Sequence, residues 1–461
     1  MSATLSREGN QEVLQSEDTL LDGGTMLLVE SDSAIPIVDI DIVLRGGSLH
    51  DPVDKEGLAR IYARLLRRGT SEAAKVGALT SPQFDEAVES LGAALSIDVS
   101  NSAIRFHGSV IRRNLDAFFA LLASVVQHPA LRPKELAHVK REAVAEILSQ
   151  RDNDRWLAGR AFRVALFGEH PYARSALGSS ASLKRITIAD IVAFHTERLR
   201  ASNTVVALSG DITTDDAKAL VKRHLGKLPR GKAVAFDVPD ATPSPGLRLV
   251  LIDKPDRTQT QVFMGTVGVK LAEPDFYPLA VANTIFGGTF TARLVNAVRS
   301  EKGWSYSAQS RLYADKARDA WSIYTHPALE NARDCVALEL DLVRDFVAKG
   351  VSAKEVAFAR SFLTKSHAFE RDTASKRLDP RIEAAVFGLP ASFHTEYLAH
   401  LAEVDAKKAT ASIRTRLAGP TGRGDDLVVA VLGPAARLEK AFRTLPGVSD
   451  ITRVPFADLA T

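Results

Sequence analysis

A single cysteine, Cys335, stands among the 461 residues of this chain, so no internal disulfide and no multi-thiolate metal site can form. No apolar run reaches the roughly 18 residues that a membrane-spanning helix needs. Neither sign of charge dominates. With 59 lysines and arginines against 56 aspartates and glutamates, the net charge of +3 points to neither nucleic acid nor a membrane surface. The three tryptophans, Trp156, Trp304 and Trp321, are too scattered for a base-stacking array, and the glycine-bearing segments GSSASL and RGGS lack the lysine of a phosphate loop. The opening MSATLSREGNQEVLQSED is polar and has no apolar centre of a secretion signal. The expected compartment is therefore the cytoplasm, or the periplasm if a leader has been removed. What remains is an ordinary globular composition, 45% apolar and 25% charged, on a chain too long for one core.

That length is organised by repetition. VVALSGD at 205–211 returns as VVAVLGP at 428–434, both β-branched runs that end in a glycine turn and read as buried strands. The same offset of 223 residues lays VDIDIVLRGG (38–47) against TQVFMGTVGV, and the helix from Glu56 against one from about Tyr277. Between the copies lies LPRGKAVAFDVPDATPSPGLRLV, whose four prolines suit an extended connection. The expected organisation is a first domain over 1–235, a linker over 236–246 and a second domain over 247–461. Helices are expected at 80–92, 113–127, 133–154 and 188–200, and again at 277–299, 330–349, 353–372 and 397–417. Strands and helices segregate rather than alternate, which defines each half as α+β.

The stretch GLARIYARLLRRGT (57–70) has the form of a zinc-binding helix without its ligands. Two ligands must stand four residues apart to share one helical face, and those positions hold Arg60 and Arg64. Ala63 occupies the place of the general base. Guanidiniums repel a dication and do not deprotonate, so no metal is expected here. Arg60, Arg64, Arg67 and Arg68 by themselves describe a solvated basic face, or a strip for an acidic partner. The longer stretch GGSLHDPVDKEGLARIYARLLRRGT resembles the opening signature of the M16 (pitrilysin/insulinase-type) peptidases, especially the two-domain branch that includes mitochondrial processing peptidase subunits. Active members carry H-x-x-E-H where this chain has Arg60, Ala63 and Arg64. Their downstream glutamate ligand corresponds to Glu142. The resemblance implies two similar domains, each a mainly antiparallel sheet with helices packed on it. It also leads us to expect that Arg64, with Arg60, pairs with Glu142.

The second informative stretch is FGGTFTARLVNAVRSEKGWSYSAQSRLY (286–313). Spacing alone makes Arg299 a helix-terminal cation and Tyr306 a strand aromatic. The M16 resemblance, carried by Gly287, Gly288, Arg293, Leu294 and Gly303, implies more. Family members hold an arginine and a tyrosine seven residues apart that reach a zinc site and support the developing oxyanion. Gly287 and Gly288 are expected in a loop of the chamber wall. The resemblance further implies a heterodimer in which a partner with intact H-x-x-E-H brings the zinc, this chain binds none, and an unfolded peptide is the substrate. The alternatives are an inactive M16-like scaffold and an arginine-strip binding module. His170 and Cys335 are expected to be structural.

Overall fold

The computed structural model of the chain describes residues 16–390 and 392–461, so most of the polar opening stretch lies outside the described residues. Two six-stranded sheets organise it. The first is built from β1 (Ser16–Leu20), β2 (Met26–Ser31), β3 (Ile37–Arg45), β4 (Ala94–Val99), β5 (Ala103–Ile111) and β6 (Thr204–Gly210), in the order β1-β2-β6-β3-β5-β4. The second contains β7 (Leu247–Asp253), β8 (Gln261–Val267), β9 (Ala308–Leu312), β10 (Ala320–Thr325), β11 (Val428–Gly433) and β12 (Val448–Pro455), in the order β12-β7-β11-β8-β10-β9. The order is the same in both. β2 and β6 pair in parallel, as do β7 and β11, and the next three pairings in each sheet are antiparallel. Only the outermost strand differs, antiparallel for β1 and parallel for β12.

Seven helices frame the two candidate cavities or bind the halves together: α1 (Leu58–Leu66), α2 (Ser81–Ser90), α3 (Pro133–Ser149), α4 (Asp154–Phe167), α5 (Phe276–Asn283), α6 (Ala353–Phe369) and α7 (Ala374–Phe387). The expected helix 133–154 stops five residues early, and a further helix, α4, begins where it was expected to end. α3 ends at Ser149, and Asn153 caps α4 by accepting a hydrogen bond from Trp156 N at 3.0 Å. The expected helix 277–299 is broken. α5 gives way to a π-helical turn, Thr284–Gly288, and a second π-helical segment spans Asn296–Glu301.

The two halves exchange helices. α4, from the first half, packs on β7, β8 and β11 of the second sheet, with Leu157, Ala158 and Phe162 sharing a core with Val250, Ile252 and Val428. α7, from the second half, packs on β2 and β6 of the first, where Leu378, Ile382 and Val386 meet Leu28, Val205 and Ala207. This is why β6 and β11 read as uninterrupted apolar runs: helices cover both of their faces. Charge reinforces the second contact. Arg377 reaches the buried Glu30 at 2.6 Å and Asp32 at 3.2 Å, while Arg381 reaches Glu30 at 3.0 Å and also pairs with Asp18. Residues 228–244 have no regular structure but are tied down along their length. Asp240 pairs with Lys270 at 2.6 Å, Pro239 O receives His170 Nε2 at 2.8 Å, and Val234 N donates to Asn203 Oδ1 at 2.9 Å. No helix among the described residues is long and apolar enough to cross a membrane.

Cys335 is buried in the helix Ala332–Lys349, beside the fully buried Glu339. Glu339 Oε1 accepts from Thr325 Oγ1 at 2.7 Å and from Cys335 Sγ at 3.4 Å, and no cation pairs with it among the described residues. Burial pushes this carboxyl up to about 7. The folded chain therefore binds a proton at Glu339 that the unfolded chain releases near pH 4.5. Stability from this group is greatest in acid and is lost as pH rises toward 7, by about 3 kcal/mol. The Glu339→Gln variant is expected to lose this slope, as measured by urea midpoints between about pH 5 and about pH 8.

Candidate functional site

Helix α1 is set in place by a residue that sequence reasoning passed over. The buried carboxylate of Asp51 accepts from Gly57 N at 2.8 Å and Ala59 N at 2.9 Å, satisfying orphan donors that a glycine at the helix start cannot. Burial drives Asp51 up to about 7 against the pull of those two donors. The helix then buries Leu58, Ala59, Ile61, Tyr62, Ala63, Leu65 and Leu66, and Tyr62 Oη meets His195 Nδ1 at 2.9 Å. That spacing turns the four arginines outward.

Their partners differ from expectation. Arg60 pairs with Glu146 at 2.6 Å and Arg64 pairs with the other oxygen of the same carboxylate. Glu142 instead receives Arg68 at 2.7 Å and His138 at 3.0 Å. The order of these contacts shows why. α1 and α3 run antiparallel, so Glu146 lies level with the start of α1 and Glu142 lies one turn on, level with its end. Arg67 completes the set by pairing with Asp85 at 3.2 Å and donating to Leu95 O at 2.9 Å. Each arginine of the strip is thus matched by a carboxylate, which removes the ground for an arginine-strip binding module. Ala63 and Arg64 border a cavity of about 780 Å³, together with α2, β4 and Glu142. Its residues do not fit a zinc ion. Guanidiniums occupy the ligand positions, and no group of three or more His, Cys, Asp or Glu among the described residues is placed to hold a metal.

The correction is testable. Glu146→Gln leaves two guanidiniums facing each other and is expected to cost about 1 kcal/mol, discounted for partial exposure. Glu142→Gln, at a more exposed carboxylate, is expected to cost less. Urea midpoints at low salt should rank the two variants in that order.

Arg299 and Tyr306 do come together. The Arg299 guanidinium lies 4.6 Å over the Tyr306 ring and 5.5 Å from that of Phe290. Tyr306 and Phe290 are 76% and 82% exposed, unusual for large rings on a folded surface. The local structure explains the projection. Gly303, at φ +65°, closes the π-helical segment that carries Arg299. The buried Ser305 hydroxyl donates to Ser307 O at 2.6 Å and accepts from His326 N at 2.9 Å, while Ser307 N donates to His326 Nε2 at 3.3 Å. The turn is pinned on both sides of Tyr306, and only the phenol ring stands free. Arg293 fixes the preceding segment through a bidentate pair with Glu355, at 2.7 and 2.9 Å. Burial would raise the Glu355 carboxyl, but Arg293 and the Ser352 donors hold it down at about 2.

Gly287 and Gly288 border the same space, a cavity of about 640 Å³ that also touches Phe290, Phe362 and β9. They do not form the expected loop. They end the π-helical turn Thr284–Gly288, and Gly287 is required there because a Cβ would come within 2.5 Å of Ser310 N on β9. Single π-helical turns cluster at functional sites, and two of them frame this one. The two cavities also occupy corresponding places in the duplicated fold. Each lies where an edge strand, β4 or β9, meets the helical segments that precede it.

The duplicated sheets and paired cavities define a two-domain α+β protein built by repeating one plan. Residues 26–180 match the family described as Insulinase (Peptidase family M16), and residues 185–363 match the Peptidase M16 inactive domain. The chain belongs to the M16 peptidase family. It is 26% identical over 383 residues to "Non-peptidase homolog YmxG" of Helicobacter pylori, covering 83% of this chain and 87% of that protein. It is also 26% identical to "Uncharacterized zinc protease Rv2782c" of Mycobacterium tuberculosis, over 78% of this chain and 81% of that one. Among solved structures, a peptidase M16 inactive domain from Pseudomonas fluorescens superposes with a TM-score of 0.83 at 23% identity, covering 91% of this chain and 98% of that chain. A chain of complex III2 from Candida albicans gives a TM-score of 0.75 at 16% identity, covering 93% and 99%. Both show a shared fold.

Proposed function

We propose that this chain is the non-zinc subunit of a heterodimeric M16 metallopeptidase, with Arg299 and Tyr306 presented to a peptide bond held at the partner's H-x-x-E-H site. The carrying observation is the contrast between the two cavities. In one, carboxylates neutralise the arginines that stand at the metal positions. In the other, a phenol with a stacked guanidinium is held out to solvent by a pinned turn. The partner's zinc would supply the activated water. The part of this chain is to bind and orient. Tyr306 donates from its phenol to the scissile carbonyl oxygen as negative charge grows there, and Arg299 steadies the ring and grips a neighbouring carbonyl. An unfolded peptide lies along a sheet edge and is recognised through its backbone. The match of residues 185–363 to an inactive M16 domain is consistent with a chain that works beside another M16 subunit.

A proteolytically inactive scaffold is the second reading, favoured by the name of the Helicobacter relative. The deciding experiment combines this chain with an M16 chain of the same cell that bears an intact H-x-x-E-H. The proposal expects a stable complex whose peptidase activity neither chain shows alone. A complex without activity transfers support to the scaffold, and no complex at all overturns both.

A further inference from the structure

The arginines without a carboxylate partner are not on α1. Arg155, Arg299 and Arg311 form no ion pair among the described residues. Arg160 donates only to Ala173 O, and Arg174 only to Asp51 O, at 3.0 Å. Arg155, Arg160, Arg163 and Arg174 line one cavity of about 630 Å³, between α4 and the second sheet. Its one lining carboxylate, Asp319, is already engaged by Arg163 at 2.9 Å. A guanidinium withdrawn from water without a counter-charge is costly, and an incoming anion relieves that cost. The volume is that of a site for an organic ligand rather than a lone inorganic ion. Part of the wall is apolar, with Phe162 stacked on Phe263 at 6.1 Å and Trp156 also lining it.

This cavity neighbours the Arg299–Tyr306 groove. Tyr313 lines both. Arg311 lies directly across from Ser322 in the ladder, and cross-strand partners share a face, so it lies on the side where Ser322 borders the cavity. Arg155 stacks at 4.1 Å on Tyr324, two residues along the same strand and so on that same face. β9 is an edge strand, with one side unpaired among the described residues.

We infer that the arginine-lined cavity is an exosite for the acidic part of a peptide that lies along β9 past Tyr306. This rests on the peptide-handling reading and adds a substrate class to it: segments whose carboxylates follow the residues at the groove. Arg311 and Arg155 meet those carboxylates first, and Arg160 and Arg174 receive them inside. Planar guanidiniums suit that task because each can hold a carboxylate through two parallel hydrogen bonds.

The test uses the isolated full chain and fluorescence anisotropy with a short labelled peptide rich in glutamate, beside its glutamine counterpart. The glutamate peptide is expected to bind on the order of tenfold tighter. Arg155→Gln combined with Arg311→Gln should remove most of that preference with an unchanged melting temperature, since both side chains are exposed. Amidating the peptide's C-terminus separates two supporting outcomes, capture of side-chain carboxylates or of a terminal one. Equal affinities for the two peptides, or a preference undiminished in the double variant, overturns the inference. So does inorganic phosphate binding alone with no peptide discrimination. Acid-selective binding by a chain that never activates a partner would sink the accessory-subunit reading and leave the exosite standing. Activity without acid selectivity would do the reverse.

Discussion

Changing Tyr306 to phenylalanine lowers the turnover of the reconstituted complex by about 10²–10³, the usual loss when one donor to a developing oxyanion is removed. The melting temperature stays where it was, because the ring remains and its edge already faces water. The loss falls on kcat more than on KM, since the phenol contributes most when charge has built up on the carbonyl oxygen. Arg299→Lys is expected to recover little of what Arg299→Gln loses. An ammonium cannot lie flat between the rings of Phe290 and Tyr306 as the guanidinium does. Steady-state kinetics on the mixed complex decides the matter, and undiminished kcat in Tyr306→Phe would remove the phenol from the chemistry.

The second large effect concerns stability. Arg381→Met is expected to cost about 3 kcal/mol where α7 meets the first sheet. It leaves the buried Glu30 with Arg377 as its one remaining cation among the described residues, Asp18 with none, and the carbonyls of Val29 and Glu17 without this donor. Part of the penalty is the charge on Glu30 that Arg377 alone does not balance, so adding Glu30→Gln should restore that part. Urea unfolding of the single and double variants measures the coupling. A double variant no more stable than the single one would mean that Arg381 acts through packing alone.

Much of this arrangement was legible in the residues. The paired runs VVALSGD and VVAVLGP became β6 and β11, strands at the same place in two sheets of the same order. Arg299 and Tyr306, seven apart, do meet. The misses have physical causes. α7 contains Pro380, which removes a helix hydrogen bond and argues against a helix when read alone. α4 lies beyond every expected helix: it starts after a turn of a few residues that reads as the fraying end of α3, so its own cap at Asn153 went unmarked. Glu146 was overlooked because a motif gives spacing along a helix but not the vertical offset between two antiparallel helices. The π-helical turns around Gly287 and Arg299 follow no simple sequence period, and the close approach of Gly287 to Ser310 is visible only in the folded chain. The arginines at and beside the cavity that no carboxylate among the described residues engages, Arg155, Arg160, Arg174 and Arg311, are scattered along the chain, so only the folded chain gathers them.

The exchange of α4 and α7 has a mechanical consequence. A protease that nicks residues 228–244 would sever the covalent tether and still leave the fragments clasped, each holding part of the other. Such a body has no loose joint at its waist. If the accessory-subunit proposal holds, whatever gape is needed to swallow a polypeptide would come from rocking between separate chains, with each chain moving as one solid jaw.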